Sequence, residues 1–268
     1  MPELPEVESA RRGAQRRLAG KCIVGVYAAR DPIVFAGVSP RAVRAALCGR
    51  TILGFQRKGK YLWMTVEDCP CVLFHFGMTG GFHFYTDAAD RPQFCKLELV
   101  TDDGRRFAMT DKRRFGRIRL VEDPIHSPPV SCLGWDVLSD RFGPSEILPL
   151  LHKRKAPIKA VLLDQILFAG VGNWIADEML YQAAVDPRRP ACRLTPQQVV
   201  RLCRCLKRIV KKSVDVDADY TQFPKNWLFH YRWGRNSHAV DYRGRKIRFT
   251  RIGGRTTAWV PAKQAHPG

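Results

Sequence analysis

The sequence opens with a proline and a carboxylate side by side, directly behind the initiator methionine, as Met1-Pro2-Glu3. Removal of Met1 would leave Pro2 with a free secondary amine. A free α-amine has a pKa of about 7.7–8, so part of it is unprotonated at neutral pH. Such an amine can form a covalent iminium with the aldehyde carbon of a sugar, while the neighbouring carboxylate transfers protons. Proline and acidic residues also suit the first turn of a helix, so the pattern alone leaves both interpretations open.

A second group of reactive side chains lies at a predicted hairpin turn, Arg57-Lys58-Gly59-Lys60. A lysine at such a turn could act as an acid or base beside the amine, or bind a phosphate. The alternative is a positively charged turn that only contacts solvent.

Two loops next to glycines carry side chains that suit a gap in a base stack. Met78 lies in a glycine-rich loop, and Arg113 and Phe115 lie just before Gly116. An apolar side chain can fill the space of an unstacked base, a phenylalanine can stack on a base, and an arginine can contact phosphate. Each loop taken alone is equally consistent with an ordinary surface loop.

Two further glycine turns predict phosphate contacts. Gly170 and Gly172 predict a tight turn between two helices, where backbone amides and the Asn173 side chain can bind a phosphate. A nucleotide cofactor is disfavoured, because no strand is predicted before this turn and no GxGxxG spacing occurs. Arg255 follows the turn Gly253-Gly254 and could form paired hydrogen bonds with phosphate oxygens. At both places the alternative is a purely structural turn.

The composition favours a polyanionic partner. The chain has 268 residues, a formal net charge of +20 and a pI near 10, which is typical of proteins that bind nucleic acid or an anionic membrane surface. No run of 18 apolar residues or secretory signal is evident. The nine cysteines lack the C-x2-C spacing of a zinc site, so we expect reduced thiols with no metal or disulfide role.

These residues require a scaffold, and periodicity predicts one. A helix is expected over residues 3–19, and a sandwich or barrel of short strands over residues 21–121. The predicted strands include Cys22–Ala28, Pro32–Val38 and two hairpins, while Ser39-Pro40 predicts a short helix. Residues 122–145 have the composition of a linker, and residues 146–214 are predicted to be helical, ending in a long basic helix that begins after Thr195. A hairpin is expected at residues 242–254.

Taken together, the separated motifs resemble the formamidopyrimidine-DNA glycosylase / endonuclease VIII family of bifunctional base-excision repair enzymes. The segment Pro2-Glu3-Leu4-Pro5-Glu6 resembles the catalytic N-terminus of that family, and residues 57–62 resemble its lysine hairpin, with Lys60 at the catalytic lysine. Three residues match those that fill the gap left by the everted nucleotide: Met78, Arg113 and Phe115.

The resemblance continues in the second half of the chain. Residues 170–173 match the turn of the helix–two-turn–helix element, with Asn173 as its phosphate-binding asparagine. No cysteine follows Cys205, so the four-cysteine zinc finger of bacterial members is missing. The stretches around Trp227 and Arg255 resemble the zincless finger of plant and fungal members, with Arg255 as the finger arginine. The resemblance therefore implies no metal and no cofactor.

The fold implied by this resemblance is α+β with two domains. An N-terminal catalytic β-sandwich with flanking helices is expected over residues 1–132, followed by a linker over residues 133–145. A helix–two-turn–helix bundle would then occupy residues 146–219, and a zincless β-hairpin finger residues 220–268.

The implied mechanism assigns a role to each site residue. Pro2 would attack C1′ of the deoxyribose, and Glu3 would protonate the opening sugar. Glu6 would support the helix start. Lys60 and Arg255 would hold the phosphates that flank the lesion, and Lys153 and Lys155 are additional candidates for phosphate contact. The expected partner is damaged double-stranded DNA, bound by a monomer, with no membrane involved.

The lesion is less defined than the chemistry. Oxidised purines are the first expectation: formamidopyrimidines, with hydantoins and 8-oxoguanine as further candidates. Residues 215–233 differ from the bacterial region that caps an oxidised purine, which weakens the case for 8-oxoguanine. An endonuclease VIII-like enzyme for oxidised pyrimidines and a non-catalytic DNA-binding relative are the alternatives. The nucleus is the expected location.

Overall fold

In the computed structural model, which describes residues 2–234 and 236–265, the first helix (α1) spans Leu4–Leu18. Glu3 lies at its N-cap, and the Glu3 backbone N–H donates to the Glu6 carboxylate at 2.9 Å. Arginines occupy the last turn, where a cation is favoured by the helix dipole. The helix predicted over residues 3–19 is therefore confirmed. Met1, on whose removal the predicted amine depends, lies outside the described residues.

The chain divides after Cys132 into two units, and the first unit contains two antiparallel sheets. Its other elements are, in chain order, β1 (Ile23–Ala28), α2 (Pro40–Leu47), β2 (Ile52–Lys58), β3 (Tyr61–Val66), β4 (Cys69–His75), β5 (Gly81–Tyr85), β6 (Cys95–Thr101), β7 (Arg106–Thr110) and β8 (Arg117–Val121). One sheet has the order β1-β6-β7-β5 and the other β2-β3-β4-β8. The predicted helix α2 is confirmed, with the Ser39 hydroxyl accepting the Ala42 N–H at 3.1 Å.

A buried aromatic cluster joins the two sheets. Phe74 of β4 contacts Phe82 of β5 and Phe107 of β7, with ring centroids 5.2 and 6.4 Å apart. The rings meet edge to face, an arrangement that adds about 0.5–1.5 kcal/mol per pair beyond area burial. Since these strands belong to opposite sheets, the sheets pack face to face, and the predicted β-sandwich is confirmed.

The strand predicted over Pro32–Val38 is wrong. Asp31 accepts the backbone N–H groups of Ile33 and Val34 at 3.2 and 3.3 Å, which folds the segment into a turn. Only an isolated bridge from Phe35 to Ile118 forms there. The segment is apolar because Val34 and Phe35 enter the core, with 0% and 2% exposure, and not because it pairs in a sheet.

The second unit begins at Leu133 and is mainly helical. Its elements are β9 (Trp135–Asp136), α3 (Pro144–His152), α4 (Ile158–Leu162), β10 (Phe168–Ala169), α5 (Asn173–Ala183), α6 (Pro196–Asp215), β11 (Arg248–Ile252), β12 (Arg255–Trp259) and α7 (Pro261–Gln264). Thr195 and Gln198 cap the start of α6 reciprocally. The predicted long basic helix is confirmed, with its apolar face buried.

Two details of the second unit differ from the simplest prediction. The stretch expected to be a linker, residues 133–145, contributes β9, which pairs in parallel with β10. Residues 242–245 form a turn flanked by the isolated bridge from Val240 to Lys246 and closed by the Asp241 N–H, which donates to the Arg245 carbonyl at 2.9 Å. The full hairpin is β11–β12 around Gly253-Gly254. The separation of residues 146–219 from 220–268 stays a prediction. No helix among the described residues is long and apolar enough to cross a membrane.

Candidate active site and nucleic-acid interface

The N-terminus of α1 holds the predicted nucleophile and its carboxylate. Pro2 directly precedes the N-cap residue Glu3, whose side chain is almost completely buried. Glu6 accepts the Glu3 N–H, so it fixes the backbone that carries both residues. A helix N-terminus favours negative charge, which stabilises carboxylates at this position.

A buried ion pair connects α1 to the lysine turn. Glu8 pairs with Arg57 at 3.0 Å, and Arg57 also donates to the carbonyl oxygen of Gly59 at 3.0 Å, next to Lys60. Burial raises the pKa of Glu8, but a hydrogen bond from Arg11 and the charge of Arg57 outweigh it, so the net pKa is lowered. The interpretation of this turn as a solvated charge cluster is wrong for Arg57, whose side chain is 3% exposed.

His75 belongs to the same cationic surroundings and was not predicted. Its ring stacks on Tyr61 with centroids 4.6 Å apart, and its Nδ1 accepts the Gly77 N–H at 3.2 Å. Burial, followed by the charges of Lys60 and two arginines of β8, lowers the pKa of His75 to about 4. The imidazole is therefore neutral at pH 7, with its proton on Nε2. Strand register brings these groups together, so no local sequence pattern could reveal them.

One buried carboxylate joins the two loops with the predicted gap-filling residues. Asp111 accepts the Thr79 hydroxyl at 2.7 Å and the Arg113 N–H at 3.1 Å. It also accepts the Gly116 N–H at 2.6 Å. Because Thr79 follows Met78, this single side chain fixes both loops against each other.

The close approach of these loops explains a glycine. Gly77 has φ +60°, and a Cβ there would lie 2.4 Å from the backbone carbon of Phe115. The Arg113 guanidinium lies 4.8 Å from the centroid of the Phe115 ring, which is 46% exposed. Met78 is half-buried. Arg113, Phe115 and Met78 thus lie on adjacent loops.

In the second unit, the predicted phosphate turn precedes α5. Gly170 has φ +97°, and Gly172 is the N-cap, so Asn173 is the first helical residue of α5. The Asn173 side-chain amide donates to the carbonyl of Thr256 at 2.9 Å, which fixes it to β12. The short strand β10 precedes this turn, so the expectation that no strand would do so is wrong.

A buried charge cluster supports both the turn and the hairpin. Asp177 pairs with Lys159 and with Arg232, at 2.5 and 2.6 Å, and accepts the Ala258 N–H at 3.0 Å. Lys159 also donates to the Asn173 carbonyl at 2.7 Å. The cluster therefore holds the start of α5 beside β12, the strand that begins with Arg255. Its members come from distant segments, so sequence patterns did not indicate it.

The remaining predicted basic residues are exposed. Arg255 follows the turn Gly253-Gly254, whose positive φ values of 56° and 74° permit a two-residue hairpin loop. Lys153 and Lys155 are exposed on either side of Arg154, which pairs with Asp164 at 2.8 Å. Among the described residues, no group of three or more His, Cys, Asp or Glu side chains could hold a metal ion.

Comparison with known proteins gives the same assignment for both units. Residues 1–118 match the formamidopyrimidine-DNA glycosylase N-terminal domain, and residues 133–225 match the formamidopyrimidine-DNA glycosylase H2TH domain. A formamidopyrimidine-DNA glycosylase of Arabidopsis thaliana is 41% identical over 98% of this chain and 71% of its own length. One from Geobacter metallireducens is 31% identical over 98% of this chain and 100% of its own.

Solved structures agree. Lactococcus lactis formamidopyrimidine-DNA glycosylase bound to DNA containing an abasic site has a TM-score of 0.86 at 25% identity, covering 98% of this chain and 100% of that chain. The wild-type enzyme bound to DNA containing N7-benzyl-Fapy-dG also has a TM-score of 0.86, covering 99% and 100%. From the two matched domains and the relatives that match 98% of it, the chain belongs to the formamidopyrimidine-DNA glycosylase family.

Proposed function

We propose that the protein is a bifunctional DNA glycosylase and abasic-site lyase of base excision repair, with damaged duplex DNA as its substrate. The observation that carries this proposal is the Glu8–Arg57–Gly59 connection, which ties helix α1, directly after Pro2 and Glu3, to the turn bearing Lys60. An amine nucleophile, a proton donor and a phosphate-binding cation are the groups that this reaction needs.

In the first step, the damaged nucleotide leaves the base stack and enters the enzyme. After removal of Met1, the lone pair of the Pro2 nitrogen attacks C1′ of the deoxyribose. The bond from C1′ to the base breaks, and its electron pair leaves with the base, which takes up the proton that the Pro2 nitrogen loses. Glu3 gives a proton to the ring oxygen as the sugar opens, and the Pro2 nitrogen and C1′ become joined as an iminium.

Strand cleavage follows from the iminium, which acidifies the hydrogen on C2′. Loss of that proton breaks the bond from C3′ to its phosphate oxygen. In a second elimination, loss of the proton on C4′ breaks the bond from C5′ to its phosphate oxygen. Water then hydrolyses the iminium and frees the sugar remnant together with the amine. Lys60 and Arg255 are proposed to bind the phosphates, and Met78, Arg113 and Phe115 to fill the space left in the duplex.

The proposed substrate class is oxidised purines, with formamidopyrimidines first. The relatives are formamidopyrimidine-DNA glycosylases by name, and this name and the loop formed by Arg113 and Phe115 support this choice. The competing substrate class is oxidised pyrimidines, processed by the same amine chemistry. A non-catalytic DNA-binding role is the third possibility, and the intact Pro2, Glu3 and Lys60 oppose it.

Borohydride trapping tests the chemistry directly. Protein shown by mass spectrometry to begin at Pro2 should form a covalent adduct with duplexes containing formamidopyrimidine-guanine, a hydantoin or an abasic site. Pro2→Gly keeps an amine and should react far more slowly, while Glu3→Gln should lose base removal more than abasic-site cleavage. If none of these lesions gave an adduct, the proposed enzymatic activity would be refuted. Faster trapping on duplexes containing thymine glycol would favour the pyrimidine alternative.

The finger is proposed to fold without metal. Apolar packing supports this: Tyr181, Leu228, Ile247, Ala258 and Val260 form a buried core there. The Tyr181 hydroxyl donates to Asp241 at 2.8 Å, and Asp241 pairs with Arg245 at 2.7 Å. These contacts supply cross-links between the helix and the loop before the hairpin.

A DNA repair enzyme acts in a compartment that contains DNA, and we propose the nucleus for this one. Its similarity to a plant relative and its formal charge of +20 support that choice. Imaging of the tagged protein would test it, and confinement to an organelle would contradict it. A monomer in DNA-free solution is also proposed, to be checked by light scattering.

A further inference from the structure

The outer face of α6 is a continuous cationic surface that the proposed reaction does not use. Between Arg201 and Lys212, every exposed residue of the helix is a cation. These residues are Arg201, Arg204, Lys207, Arg208, Lys211 and Lys212. At 100° per residue they occupy about 140° of the helix circumference and extend roughly 16 Å along its axis.

Little negative charge balances this surface. Among the described ion pairs, only Lys211 has a carboxylate partner, Asp215 at 2.8 Å, and that pair is exposed. Arg201 and Lys207 donate to backbone carbonyls, and Arg208 donates to the side-chain carbonyl of Gln182. The exposed pair of Lys211 and Asp215 contributes at most about 1 kcal/mol, so it offsets little of the repulsion among the six cations. So many like charges on one helix face indicate a partner that is anionic.

A cleft adjoins the cationic face at Arg208. It has a volume of about 370 Å³ and is lined by Tyr181, Gln182, Arg208, Pro224, Asn226, Trp227, Tyr242 and Lys263. Tyr242 is 40% exposed, and the Arg243 guanidinium lies 5.3 Å from its ring centroid. The Lys263 ammonium lies 4.2 Å from the Tyr181 ring centroid. The cleft therefore combines exposed aromatic surface with cations.

We propose that this surface binds single-stranded DNA, with successive phosphates on the α6 cations and one unstacked base in the cleft against Tyr242. Cations three or four residues apart on a helix have Cβ atoms roughly 5–6 Å apart, which suits successive phosphates of an extended strand. A cationic track beside aromatic rings is the usual construction of single-strand sites. An acidic peptide would neutralise the charges but has no base for the cleft. A duplex keeps its bases stacked and out of reach of Tyr242.

The first test measures binding of a fluorescent oligothymidylate of about twelve nucleotides, a length within the range of known single-strand sites. The full chain is compared with a variant carrying Arg204→Gln, Lys211→Gln and Lys212→Gln. The control carries Arg30→Gln, Arg41→Gln and Arg44→Gln, three exposed cations of the first unit. The α6 variant should bind at least tenfold more weakly. The slope of the logarithm of the binding constant against the logarithm of the salt concentration should also become smaller in magnitude by about 2. Each phosphate neutralised on a single strand contributes about 0.7 to this slope, and three cations are removed.

The second test addresses the cleft. Tyr242→Ala should weaken oligothymidylate binding about tenfold, as expected for loss of one stacked base. Tyr27→Ala removes a ring of similar exposure in the first unit and should change binding little. Equal losses in the two variants would overturn the base-binding cleft. Equal losses in the α6 and control triples would overturn the cationic track, and an equally large effect on a matched duplex would overturn the single-strand assignment.

The two proposals fail separately. Borohydride trapping on a lesion duplex should be unchanged in the α6 variant, because none of its altered residues is assigned to the reaction. Oligothymidylate binding needs no catalysis. It therefore reports on α6 even if no trapping occurs with any protein.

Discussion

Asp111 provides the sharpest test of how the gap-filling loops are held. Its fully buried carboxylate accepts hydrogen bonds from Thr79, Arg113 and Gly116. In Asp111→Asn, one acceptor oxygen becomes an NH2 donor. If that group takes the place of Oδ2, it faces the Gly116 N–H, and if the amide is flipped, it faces the Thr79 and Arg113 donors. In the first orientation the buried Gly116 N–H loses its acceptor, and in the second the Thr79 hydroxyl and the Arg113 N–H lose the carboxylate oxygen that they share.

The expected cost follows from these contacts. A hydrogen bond to a charged group contributes about 1.5–3 kcal/mol, and an unsatisfied buried donor costs about 1–3 kcal/mol. These two costs overlap, because both include the loss of one interaction, and they are therefore not added in full. We expect Asp111→Asn to lower the free energy of unfolding of the first unit by about 2–4 kcal/mol. Urea titration at pH 7 measures this value.

Asp102→Asn is the matched control, because Asp102 is exposed in the turn between β6 and β7. Its change should stay within about 0.5 kcal/mol. Asp111→Asn should also slow base removal at least tenfold, with a smaller effect on cleavage of an abasic site, where no base has to leave the stack. An unfolding free energy within about 0.5 kcal/mol of the parent protein would refute the role assigned to Asp111.

Three other predictions concern charge and metal. The pKa of His75, about 4, lies below its ordinary value of 6.5, so the unfolded chain binds more protons between these pH values and stability rises with pH across them. His75→Asn keeps an acceptor for Gly77 and should remove at most about 3 kcal/mol of that pH dependence, measured by urea titration from pH 4 to 8; an unchanged pH profile would contradict this. Lys159→Met leaves Asp177 paired with Arg232 but removes the Lys159 hydrogen bonds to Asp177 and to the Asn173 carbonyl. It should lower the free energy of unfolding of the second unit by about 1.5–3 kcal/mol, the contribution of a hydrogen bond to a charged group, against less than about 0.5 kcal/mol for Lys212→Met; equal values would exclude a structural role for Lys159. Prolonged EDTA treatment should leave trapping and the melting temperature unchanged, and a loss restored by zinc would show that the finger holds metal.

Local patterns were sufficient where local forces decide the structure. The N-terminal helix has its acids first and its arginines last, and Thr195 with Gln198 caps α6, so both helices were predicted. The hairpin with Lys60 has a glycine where the turn needs positive φ. The strand prediction for Pro32–Val38 was wrong, because core burial and strand pairing favour the same apolar residues. Only the turn formed by Asp31 shows that this segment is buried without pairing in a sheet.

The site's supporting contacts were beyond sequence reasoning, because they join residues far apart in the chain. The Asn173 side chain donates to the carbonyl of Thr256, which is 83 positions later in the chain, and Arg57 donates to Glu8, which is 49 positions earlier. Neither pair has a spacing that marks it. The residues of the predicted reaction could be named from motifs, whereas the groups that hold them in place required the fold.

Those supporting groups share one physical feature, which is a buried carboxylate behind each functional loop. Glu8 lies behind the lysine turn, Asp111 behind the gap-filling loops, and Asp177 behind the Asn173 turn and the finger hairpin. Removing a carboxylate from water costs several kcal/mol, and pairing it with a cation does not reliably return more than apolar packing would. Each one, however, accepts hydrogen bonds in directions that a methyl group cannot specify. Loops that are proposed to contact a phosphate or to fill a base-sized gap need accurate placement more than stability, which accounts for these costly groups beneath them.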